Sequence, residues 1–139
     1  MRDGGPHAAA SLRAWRLVAA YGPPLALMAV IWALSSRSHL GTGLGTIDLV
    51  LRKLAHMTEF GLLAALWTRA LLRHRGATRA LAVGAAIAVA WAAVDELHQS
   101  AVPGRHGTPV DVAIDAAGVA IAVTLLRRWW SRERPVIGR

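Results

Sequence analysis

The sequence predicts an all-α protein, a polytopic transmembrane four-helix bundle with short loops. Three observations predict it. The 139 residues are 55% hydrophobic and only 17% charged, against about 25% charged in soluble domains. A soluble chain this short cannot bury so much apolar surface, whereas a bilayer lets it face lipid. Four apolar stretches of membrane-crossing scale follow one another with short polar connections. Finally, the basic residues concentrate in alternate connections, as in multi-pass proteins. With no cysteine, a disulfide framework, a thiolate zinc site and a cysteine nucleophile are excluded. The net charge of +8 finds its explanation in those connections and calls for no nucleic acid.

The first expected span is 17–34, which carries no charged residue. At 1.5 Å per residue it covers about 27 Å of a hydrocarbon core of roughly 30 Å. Pro23-Pro24 should kink it or delay its start. Ala33-Leu34-Ser35 resembles a signal-peptide cleavage site, but the apolar run is longer than a usual h-region. The second span is 54–72, with His56, Thr58 and Glu59 in its first turns. The third is 80–99, where an apolar run ends in Asp95-Glu96-Leu97-His98-Gln99. Pro103-Gly104 marks a turn. The fourth is 110–126, with Asp111 and Asp115 near its start. A basic N-terminal tail (1–16), a membrane domain (17–128) and a basic C-terminal tail (129–139) complete the organisation, with flexibility expected at the two chain ends.

Twelve of the sixteen Lys and Arg residues lie in the two tails and the connection between spans two and three. The other two connections hold Arg37, Arg52, Lys53 and Arg105. By the positive-inside rule both termini are cytoplasmic, in a bacterial inner membrane. Six of the eight acids, Asp48, Glu59, Asp95, Glu96, Asp111 and Asp115, fall toward the opposite side. The tryptophans read mostly as interfacial anchors, with Trp91 as packing.

These acids should lie within the membrane and not above it. The fifteen residues 80–94 cover about 22 Å, short of the hydrocarbon thickness. Asp115 falls about 18 Å in from Arg127, and Glu59 about 21 Å from Arg73. A lipid-facing Asp at a helix centre costs about 2.5 to 3.5 kcal/mol. The acids should therefore turn inward, pair with Lys53, His56, His98 or Arg105, or be wetted by a cavity. Helical spacing puts His56 near Glu59, Asp95 near Gln99, and Asp111 near Asp115. Gly61, Ala65, Gly84 and Gly118 offer small surfaces for close helix contact.

The candidate functional cluster is Lys53, His56, Glu59, Asp95, Glu96, His98, Gln99, Arg105, Asp111 and Asp115. His56 with Glu59 suits proton transfer or metal ligation, or a buried ion pair. Asp95-Glu96-x-His98-Gln99 suits a headgroup site or acid/base chemistry, or a solvated helix end. Arg105 suits bidentate binding of phosphate or carboxylate, or neutralisation of Asp111 or Asp115. Asp111 and Asp115 suit a hard cation, or the helix N-terminal dipole. No standard metal-ligand spacing is present. No metal or other cofactor is expected, and His56, Glu59, Glu96 and His98 are the nearest approach to a ligand set.

Short motifs stand in order here. Lys53-Leu-Ala-His56-Met-Thr-Glu59-Phe60 resembles the K-x-x-H-x-x-E-[YF] motif of the VanZ-like family. Asp95-Glu96-Leu-His98-Gln99, Pro103-Gly104-Arg105 and Asp111-x-x-x-Asp115-x-x-Gly118 resemble its DE-x-HQ, PGR and D-x-x-x-N-x-x-G run. Ser35-Ser36 fits its serine pair. The resemblance covers about residues 25 to 125. Asp115 stands where many members carry Asn, and Arg52 where an acid often precedes the Lys.

The resemblance implies a membrane protein of the cell envelope, linked to low-level resistance to the glycopeptide teicoplanin. On this basis the expected function is a polar outer-leaflet site that binds an envelope lipid, a cell-wall precursor or a glycopeptide, with little or no catalysis. Two alternatives stand beside it. One is an intramembrane lipid-linked hydrolase or transferase that uses the His and carboxylates. The other is a structural partner subunit of a membrane complex. Beyond the bilayer, no nucleic-acid partner is expected.

Overall fold

A computed structural model describes residues 6–37, 45–105 and 107–133. Four helices follow in order: α1 (Pro6–Ser35), α2 (Thr46–Leu71), α3 (Ala77–Ala101) and α4 (Pro109–Glu133). The all-α bundle expected from the sequence is the observed fold. Of the chain ends expected to be flexible, residues 6–10 and 132–133 are helical and the rest lie outside the described residues.

Three helices are long and apolar enough to cross a membrane: Ala10–Ser35, Ala77–Ala101 and Pro109–Arg132. The protein is thus a multi-pass membrane protein. The fourth helix, α2, is long enough at 26 residues. It falls short in apolarity because His56, Thr58, Glu59 and Arg69 interrupt its 54–71 stretch. Its packing explains why that is tolerable. It touches each of the other three helices, whereas α1 and α4 make no contact among the described residues. A helix lined by neighbours can carry polar groups that lipid would reject.

Helices α1 and α3 run one way, α2 and α4 the other. The contacts fix this. Trp32 meets Trp91 at a ring-centroid distance of 5.9 Å, and Ser35 meets Asp95 further along both helices. On the other pair, Lys53 meets Asp111, and Gly61 lies against Gly118 and Ala122.

Small residues set the α2–α4 distance. A Cβ on Gly118 would overlap the Met57 backbone, and one on Gly61 would lie 2.9 Å from the Gly118 carbonyl oxygen. Between α2 and α3, a Cβ on Gly84 would come within 2.6 Å of Thr68 Oγ1. In lipid no hydrophobic effect draws helices together, so close contact between small residues supplies the attraction. Ile31, Phe60, Leu63, Ala64, Ala88, Ala92 and Val119 fill the centre.

Helix α1 differs from the expectation. It starts at Pro6 and runs unbroken through Pro23 and Pro24, so the prolines do not delay it. Pro23 has no N–H to give the Ala19 carbonyl four residues back. Arg69 Nη2 of α2 donates to that carbonyl at 3.2 Å, and Arg73 Nη1 donates to the Arg16 carbonyl at 2.9 Å. Helix α2 also starts earlier than the apolar run, at Thr46. Polar residues oppose lipid contact but not helicity, and Asp48 in the first turn favours the helix dipole.

Helix α3 stops where proline chemistry dictates. Val102 is extended, with φ −87° and ψ 125°, as the residue before a proline prefers. Pro103 and Gly104 then form a type II turn. Gly104 takes φ +80°, and the Arg105 N–H donates to the Val102 carbonyl at 3.1 Å.

Candidate functional site

The C-termini of α1 and α3 and the N-termini of α2 and α4 meet at one end of the bundle, and the predicted polar residues gather there. The outward faces at this level stay apolar: Leu51, Leu54, Val94, Leu97 and Val110 are exposed, Leu97 to 72%. Apolar side chains outside and carboxylates inside are the arrangement expected of a polar cluster at lipid depth.

The cluster has two halves. The first joins α1 to α3 around Asp95. The Ser35 hydroxyl and the Gln99 amide each donate to Asp95 Oδ2 at 2.7 Å. Arg105, carried there by the type II turn, donates from Nη1 to the Ser35 carbonyl at 2.6 Å. That carbonyl belongs to the last turn of α1, where acceptors lack helical partners. Arg105 is therefore directed at a helix end, not at Asp111 or Asp115. Its burial lowers its pKa from the ordinary value, as does the nearby Arg52 charge, while Asp95 and Glu96 pull the other way. His98 lies at the rim of this half. Its ring stacks on Trp32 at 3.7 Å between centroids, and its Nε2 is 2.8 Å from Ser36 Oγ.

The second half joins α2 and α4 beside Glu96. Lys53 pairs with Asp111. Thr108 Oγ1 donates to Asp111 Oδ2 at 2.7 Å and accepts the Asp111 N–H at 3.3 Å. Thr108, Pro109 and Asp111 thus form a capped helix start, with Pro at the first helical position. The Thr108 N–H donates to Glu96 Oε2 at 2.9 Å. His56 Nδ1 lies 3.7 Å from Asp115 Oδ2. Asp115 is 1% exposed, and neither of its oxygens accepts a hydrogen bond from a described residue.

A cavity of about 260 Å³ opens in this second half. Of the predicted residues, Lys53, His56, Glu96, Gln99, Arg105, Asp111 and Asp115 line it. Asp95 and His98 belong to the first half, outside that lining. Glu59 is half-buried on α2 and is not a lining residue either. Within the suggested ligand set, His56 and Glu96 come together. Their third neighbour is Asp115, with ligand atoms of all three within 4.8 Å of one another.

Several contributors were not foreseen. Thr108 orients both Glu96 and Asp111, and its signal is the Thr-Pro-x-Asp sequence of a helix start. Arg52 lines the cavity. Trp32 carries His98, and no spacing rule links residues 66 apart. Gly107 lies against Glu96, whose Oε2 would be 2.9 Å from an added Cβ.

The ordered polar residues of α2, α3 and α4 now stand on one site within a small membrane bundle. A family model described as VanZ/LLP1 matches residues 10–130. The chain belongs to the VanZ/LLP1 family. The match covers both halves of the cluster and all but the ends of the bundle. No curated protein and no solved structure matches the chain. Family membership is consistent with an envelope-associated role, and the VanZ/LLP1 bundle carries its polar cavity at the end poor in arginine.

Proposed function

We propose that this VanZ/LLP1 protein crosses the bacterial inner membrane four times, with both termini cytoplasmic. In this reading its cavity faces the extracytoplasmic side and binds the phosphate-bearing headgroup of an envelope lipid or lipid-linked cell-wall precursor. One observation carries the reading. The cavity, lined by Arg52, Lys53 and Arg105 beside carboxylates, lies at the end opposite the basic tails and the α2–α3 connection. Basic connections stay in the cytoplasm, which turns the cavity outward. Cationic side chains at lipid-headgroup depth attract phosphate. Lys53 and Arg105 also hold the bundle, so Arg52 is the side chain best placed to act on a ligand. A change in precursor exposure would then alter sensitivity to glycopeptides, and low-level teicoplanin tolerance is the expected phenotype.

The test uses the full chain in nanodiscs. Native mass spectrometry compares retention of a polyprenyl phosphate with that of a neutral diacylglycerol. Preferential retention of the phosphate, reduced several-fold in Arg52→Gln, is the expected result. Equal retention of the two lipids would contradict the reading.

The first half of the cluster supports a different role. Ser35, Asp95, Gln99 and Arg105 are joined by hydrogen bonds, which suits a structural tie between α1 and α3. Gln99 and Arg105 serve both roles, since each also lines the cavity.

A further inference from the structure

We propose that His56, Glu96 and Asp115 form a binding site for one divalent transition-metal cation of the zinc or manganese class. The three come from α2, α3 and α4, so no sequence spacing announces them. Their ligand atoms lie within 4.8 Å of one another. Ligands about 2.0 to 2.2 Å from one such ion stand roughly 3 to 4 Å apart. Side-chain movements of about 1 Å would close the triad on an ion.

The donor chemistry fits. One imidazole nitrogen and two carboxylates give a mixed site of net charge −2, which a divalent ion neutralises. Nitrogen favours zinc-like metals and carboxylates favour manganese-like ones. An all-oxygen calcium or magnesium cage is not what these residues offer.

An independent observation points to a ligand. Asp115 is almost wholly buried, and neither of its oxygens accepts a hydrogen bond from a described residue. A buried carboxylate that accepts no hydrogen bond is costly. Its nearest cationic group, His56 Nδ1, is 3.7 Å away, beyond hydrogen-bond length. Of the other cations that line the cavity, Lys53 is engaged with Asp111 and Arg105 with the Ser35 carbonyl, and Arg52 does not donate to Asp115. Asp95 is equally buried, yet Ser35 and Gln99 both donate to it. Asp95 thus has two donors on one oxygen, while Asp115 has none on either.

The surroundings suit an ion as well. The Thr108 N–H on Glu96 Oε2 orients that carboxylate, as outer-shell donors do at metal sites. All three ligands line the cavity, so the remaining coordination positions would face it. An ion there would add positive charge to the wall that a phosphate meets. The site stands without the headgroup reading, because its test uses metal alone.

The experiment titrates tag-free, chelator-treated full chain in detergent with ZnCl2 and, separately, with MnCl2 by calorimetry. Cobalt absorption spectra provide a second readout. The expected result is one ion per chain. Asp115→Asn and Glu96→Gln should each weaken binding by about tenfold or more, and His56→Gln should remove the visible cobalt bands. His74→Ala, exposed at the other end of the bundle, should bind as the parent does. Circular dichroism and gel filtration establish that each variant is folded, and Glu96→Gln decides if Asp115→Asn is not. Absence of stoichiometric binding of both ions by the parent would overturn the proposal. So would undiminished binding by the folded Asp115→Asn and Glu96→Gln variants.

Discussion

Asp95 and Asp115 are both buried carboxylates at the same end of one small bundle, yet their surroundings are opposite. Asp95 receives two hydrogen bonds to one oxygen, within a network that also holds the end of α1. Asp115 receives none from the described residues and faces a cavity beside His56 and Glu96. The first is how a protein accommodates a charge for architecture. The second is how it keeps one available for something else. Burial alone therefore does not separate scaffold from site. Hydrogen-bond satisfaction does.

The comparison can be broken first through the surface that supports Asp115. Helix α4 reaches α2 only because Gly118 has no side chain against Met57. Gly118→Leu forces the helices apart, and overpacking a tight contact costs about 1 to 3 kcal/mol or more. Near-total loss of monodisperse protein in fluorescence-detected gel filtration is expected. Parent-like behaviour would remove the close contact from the account.

A smaller effect is expected on the Asp95 side. Gln99→Met deletes one of two donors to Asp95 and should lower stability by about 1 to 3 kcal/mol, read as a lower thermal midpoint in detergent. Arg105→Gln removes the charged donor from the Ser35 carbonyl, a bond worth about 1.5 to 3 kcal/mol when charge-assisted. It should loosen α1 first, seen as faster hydrogen exchange at residues 31–36. Unchanged exchange there would mean that the contact does not hold the helix end.

The smallest perturbation sharpens which way the two halves face. Ala101→Cys is exposed at the polar end, and Gly76→Cys is exposed with nothing within 4 Å of its added Cβ. The native chain has no cysteine, so each is a clean probe. A membrane-impermeant thiol reagent on intact cells should label Ala101→Cys alone. Labelling of Gly76→Cys alone would put the cavity in the cytoplasm.

Much of this architecture was legible in the sequence. The apolar runs and basic connections declare a membrane bundle, and Gly61, Gly84 and Gly118 mark its closest contacts. The gathering of acids at one end follows from helix rise and polarity. What stayed hidden depends on contacts between helices. Arg69 reaching the Ala19 carbonyl answers a gap left by Pro23, but only the bundle brings them together. The metal-like triad takes one residue from each of three helices, and local spacing instead favoured Glu59 and His98. Arg105 offered equal arguments for a ligand and for an ion pair, yet the type II turn aims it at a backbone carbonyl.

The thermal midpoint of Asp115→Asn, measured in metal-free detergent solution beside the parent, tests the central claim most directly. A buried carboxylate that accepts no hydrogen bond burdens stability, and the near-isosteric amide removes that charge. The account predicts a midpoint equal to or above that of the parent, together with weakened zinc or manganese binding. A clearly lower midpoint would make Asp115 a structural residue like Asp95, and the distinction between the two halves would fail.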